Sequence, residues 1–119
     1  MALRAIMCAT ALFSCAAASA AAQEADALDA DLRCLVVSLV LIGSTEPQQQ
    51  QAGMGSFFYY LGRVDGARPG HDLEASLAQL AQTMTSEEIS QEMVRCGSQL
   101  MTRGREVQDI GARLQNRGL

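Results

Sequence analysis

Two cysteines, Cys34 and Cys96, stand 62 positions apart and bracket most of what this 119-residue chain has to fold. The other two, Cys8 and Cys15, fall in a leader. That leader, MALRAIMCATALFSCAAASAAA, has a basic start at Arg4, an apolar stretch through Phe13 and a run of small residues with A-x-A-like sites ending at Ala20 and Ala22. This is the pattern of a secretory signal peptide, too short and too rich in alanine to be preferred as a membrane span. Residues 1–22 are therefore set apart as the signal peptide, cleaved after Ala20 or Ala22, and residues 23–119 are expected to form one small domain. An exported chain meets an oxidising compartment, so its even pair of cysteines reads as a disulfide between Cys34 and Cys96. In the chain-entropy argument a bond closing so long a loop contributes about 4 kcal/mol, a large share of what a small domain has. Two buried free thiols are the alternative.

The leader also permits a second route. Leu12-Phe13-Ser14-Cys15 resembles a bacterial lipobox, and processing there would leave Cys15 lipidated and the protein anchored to a membrane. The main expectation is a free periplasmic protein.

Hydrophobic spacing predicts an all-α domain of four helices, bundle-like, with no strand. The first covers residues 25–43, where Leu28, Leu32, Leu35, Leu39 and Ile42 recur at three and four while Val36, Val37, Val40 and Leu41 fill the rest of the circumference. A helix apolar on all sides must be covered on more than one, which leaves room for a homodimer. The β-branched run would also suit a short buried strand, but nothing else in the chain offers it a strand partner. Pro47 suits a first helical turn, and a second helix is predicted over 48–65. The turn GARPG follows; Asp72 can cap a third helix carrying Leu73, Leu77, Leu80 and Met84. Thr85-Ser86-Glu87-Glu88 is a capping-box sequence opening a fourth helix that runs to about Asn116. Its expected inward stripe is Ile89, Met93, Cys96, Leu100, Val107 and Leu114.

Outside the leader all aromatic residues sit together as Phe57, Phe58, Tyr59 and Tyr60. On a helical wheel Met54, Phe57, Phe58, Leu61 and Val64 gather into one arc, the expected core face. Gly55, Tyr59, Gly62 and Gly66 lie nearly opposite, and Gly97, Gly104, Gly111 and Gly118 recur every seventh residue of the fourth helix. A glycine inside a helix costs about 1 kcal/mol relative to alanine. The two glycine series therefore suggest that the second and fourth helices pack closely. The aromatics then cluster because the second helix is central; alternatively Tyr59, Tyr60 and Arg63 face outward as a partner-binding patch, being residue types favoured at hot spots.

Chemistry has little to work with. His71 is the only histidine and sits in a turn, where a solvated role is expected and pH sensing is the alternative. With no second histidine, no C-x-x-C, no carboxylate pair at ligand spacing and no nucleophile or phosphate-loop motif, neither a metal site nor a catalytic residue is assigned, and no cofactor or small-molecule substrate is expected. Beyond Ala22 there are eight arginines, no lysine and thirteen Asp and Glu, a net charge near −5. No basic surface of the kind that neutralises phosphates is expected, so nucleic acid is not expected as a partner.

In size, leader, helices and bracketing cysteine pair the chain resembles the acid-stress chaperones of the HdeA type, although the aromatic run departs from them. Tyr60-Leu61-Gly62-Arg63-Val64-Asp65-Gly66 looks like the aromatic-and-glycine helix of the amidase-immunity proteins of type VI secretion. These resemblances imply a non-enzymatic envelope protein that binds another protein as inhibitor, immunity or assembly factor. The alternative they imply is a chaperone that loosens in acid to expose residues 35–42 and 57–61, since protonating the carboxylates while the arginines stay charged makes the domain self-repelling.

Overall fold

In the computed structural model, which describes residues 11–118 and the side chains of 17–118, the chain is all-α. Its four helices are α1 (Ala11–Ile42), α2 (Pro47–Ala67), α3 (Leu73–Thr83) and α4 (Ser86–Gln115), with no strand among the described residues. Residues 1–10 of the leader and the side chain of Cys15 lie outside this description.

Local signals decide most helix ends. Pro47 opens α2, where its missing N–H is no loss. The Asp72 carboxylate accepts from Ala75 N at 3.0 Å and caps α3. At the start of α4 the Thr85 hydroxyl accepts from Glu88 N while the Glu88 carboxylate accepts from Thr85 N, a complete capping box. These bonds hold the Glu88 carboxyl below its ordinary value, the Thr85 backbone bond first and its hydroxyl bond second. One boundary differs from expectation. α1 is already helical at Ala11, the first described residue, and does not begin near residue 25, because alanine has the highest helix propensity of any residue and no Gly or Pro interrupts the alanine-rich end of the leader. Residues 17–27 are exposed, and the core begins at Leu28.

Helix α1 is the element on which the other three pack, which covers Leu32, Leu35, Val36 and Val37 but leaves Leu39 and Val40 exposed, against the expectation of a helix covered all round. α2 returns antiparallel along it, and three contacts fix the register. The Ser38 and Ser56 hydroxyls hydrogen-bond at 2.7 Å, Arg63 pairs with the buried Asp31 at 3.0 Å, and Gly53 fits against the end of α1. A Cβ on Gly53 would lie 2.8 Å from the Ile42 nitrogen and from Leu41 Cβ. The Cys34–Cys96 bond, with Cα atoms 5.7 Å apart, then ties α1 to α4.

Three packing expectations are corrected. The buried face of α2 is Gly53, Ser56, Tyr60 and Val64; of the expected arc Val64 is buried and Phe57 and Leu61 pack partly against the core, while Met54 and Phe58 are exposed, Phe58 by 63%. Small residues let the α2 backbone approach α1, and that gain outweighs burial of the larger rings. The proposed glycine seam between α2 and α4 does not form, since a Cβ at Gly55, Gly62, Gly66, Gly97, Gly104 or Gly111 would meet nothing within 4 Å. Of the expected inward stripe of α4 only Cys96 is buried, while Val107 and Leu114 are exposed.

Candidate functional site

Tyr60, expected in the outward patch, turns inward instead. It is fully buried, and its hydroxyl donates toward the Cys96 carbonyl at 3.0 Å and Gln99 Oε1 at 2.9 Å. Burial pushes the Tyr60 phenol up to about 12, with Tyr59 and Asp31 adding to the rise and Arg95 and Arg63 opposing it. A tyrosine so placed fastens α2 to α4 beside the disulfide and cannot touch a partner, so it leaves the candidate surface. The signal that could have found this was its spacing: Tyr60 lies four residues after Ser56 and four before Val64, on the side of the small residues.

Tyr59 and Arg63 remain. The Tyr59 ring meets the Tyr60 ring edge-on with centroids 4.9 Å apart, and the Arg63 guanidinium lies 5.8 Å from the Tyr59 centroid, close enough for a cation–π attraction. Both side chains line an open cleft of about 600 Å³ between α2 and α4, together with Arg95, Gln99, Thr102 and Arg103. Sequence reasoning had missed the α4 half of this lining, because an arginine on a helix surface carries no sign of what lies opposite.

Three guanidinium groups thus converge on a chain of net charge −4. No carboxylate lines the cleft, although each arginine has one outside the lining. Arg63 Nε is 3.1 and 3.0 Å from the two oxygens of Asp31, and this hydrogen bonding raises its pKa above the ordinary arginine value. Arg95 Nε reaches Glu92 at 2.5 Å, and its Nη2 donates to the Ala30 carbonyl at 2.8 Å and lies 3.1 Å from Cys34 Sγ. Arg103 pairs with Glu106. The carboxylates orient the guanidinium groups, and a guanidinium has five N–H donors, more than these contacts use, in a planar fork that suits a carboxylate.

Other candidate chemistry is weaker. Cys34, Cys96 and Glu92 bring potential metal-ligand atoms within 4.8 Å of one another, but both sulfurs are spent in the disulfide and a metal needs the thiolates. His71 Nε2 lies 2.8 Å from Ser76 Oγ, a contact that steadies the turn before α3. Compared with known proteins, the chain matches no family model, no curated protein and no solved structure.

Proposed function

We propose that this is a non-enzymatic protein of the bacterial envelope, exported to the periplasm by its leader, which binds an acidic segment of another envelope protein. The observation that carries this reading is the cleft, where Tyr59, Arg63, Arg95 and Arg103 concentrate positive charge and an aromatic face on an acidic chain. Tyrosine and arginine dominate protein interfaces because each offers large contact area with a polar end. Export is supported by the disulfide, which persists in oxidising compartments. Cleavage after Ala20 or Ala22 would remove only residues that precede the core. No helix among the described residues is long and apolar enough to cross a membrane; a lipid at Cys15 would supply an anchor instead.

The test is capture from envelope extract by the oxidised chain, compared with Tyr59→Ala and Arg63→Lys. The lysine keeps a cation beside Asp31 but loses the planar fork. The expected result is one stoichiometric partner, released by salt and lost with Tyr59→Ala. Capture unchanged in both variants would move the site elsewhere, and no capture would end the reading. Amino-terminal sequencing of the exported chain decides between the two cleavage sites and a blocked Cys15.

A second reading has its own observation. Leu39, Val40, Met54 and Phe58 are exposed on α1 and α2, an apolar surface that an acid-loosened chaperone would enlarge. Failure to suppress client aggregation at low pH would remove it.

A further inference from the structure

Past Leu100, α4 runs to Gln115 without a single buried residue. An exposed helix end with a random surface would need no explanation, but this one carries a pattern. Leu100, Arg103, Val107, Ile110 and Leu114 alternate at three and four, the seam of a coiled coil. Val107 is 66%, Ile110 47% and Leu114 41% exposed. Gly104 and Gly111 flank the seam on one side with open space around them; Glu106 and Arg113 flank it on the other.

We infer that the outer half of α4 is a self-association surface, whose occupant is the same segment of a second copy running antiparallel. The charges select this occupant. With Val107 set against Ile110 of the second copy, Arg103 faces Leu114. The same register puts Glu106 opposite Arg113, and the two-fold axis repeats that pair. Among the described residues Arg113 makes no ion pair of its own. A parallel pairing would set Glu106 beside glycine and leave both charges unmatched.

Geometry agrees on the other side of the seam. Gly104 meets Gly111 of the second copy there, so the backbones can approach closely without a side chain between them. Arg103 pairs with Glu106 on its own chain, which settles its charge while its aliphatic stem lies over the facing Leu114. The overlap takes in residues 103–114, about 18 Å at 1.5 Å per residue, all of it within the part of α4 that has no buried residue. A surface of this size lies at the low end of specific interfaces, so association in the micromolar range is expected.

Sedimentation equilibrium of the oxidised chain over a wide concentration series tests this, with helicity and Tm recorded for each variant. The expected result is a monomer–dimer equilibrium abolished by Val107→Asp. Glu106→Arg and Arg113→Glu should each weaken it about tenfold by opposing like charges, and the double reversal should recover part of that loss, because Arg103 no longer has Glu106 beside it. All three positions lie on the exposed helix, so the fold survives the substitutions. A chain that stays monomeric throughout overturns the proposal. So does a dimer indifferent to Val107→Asp, or one that the double reversal fails to rescue.

Discussion

The two halves of α4 carry the same kind of apolar stripe and meet different fates. Up to Leu100 the helix is held by the disulfide at Cys96, by the Tyr60 hydroxyl and by Arg95 reaching Ala30. Beyond it no side chain is buried. Periodicity therefore reports that a face exists, and the neighbours that bury it must come from elsewhere in the chain or from outside. The first half is stabilised by tertiary packing; the second holds its shape by helix propensity and by surface pairs such as Arg103 with Glu106, which contribute little each.

Removing the covalent tie should blur that contrast most. Cys34→Ser with Cys96→Ser is expected to cost about 2–5 kcal/mol in urea unfolding. The outer half of α4 should show the same rapid amide exchange before and after. Slow exchange at residues 104–112 in the dilute monomer would show that the two halves are not distinct.

Glycine substitutions sharpen the comparison at the next scale. Gly53→Ala forces a Cβ to within 2.8 Å of the α1 backbone and should destabilise by about 1–3 kcal/mol. Gly104→Ala meets open space and should raise the stability of the dilute monomer by up to about 1 kcal/mol. Equal effects of the two, read from thermal melts, would contradict the division.

Tyr60→Phe has the smallest effect and the clearest signature. Loss of its hydrogen bonds should cost about 1 kcal/mol at neutral pH. Because the folded-state pKa of Tyr60 lies above the unfolded value, the stability it carries is present below about pH 10 and fades as pH rises through about 12. The phenylalanine variant should lack that alkaline loss, seen by following unfolding against pH.

How much of this was legible beforehand follows from where each signal lives. The four helices, the Asp72 cap, the Thr85–Glu88 box and the Cys34–Cys96 bond rest on local chemistry or on a forced choice of partners, and the structure contains them all. The face of α2 was misread because hydrophobicity ranks Phe58 above Ser56, while packing against α1 ranks by size and hydrogen bonding at short range. Two of the three expected surface residues, Tyr59 and Arg63, do line the cleft. The third was drawn inward by acceptors on α4, 36 and 39 positions away, a distance over which no local pattern speaks.

The bond between Cys34 and Cys96 also divides the molecule topologically. Everything from one cysteine to the other is a closed covalent ring, and the rest of α4 is a leash hanging from it. A machine that grips the carboxyl end and pulls can draw in that leash as a single strand. At Cys96 it meets a junction where two strands must enter together. Force applied there is shared by the ring as a whole, so resistance to being threaded from this end depends on the redox state of the sulfurs before it depends on the stability of the fold.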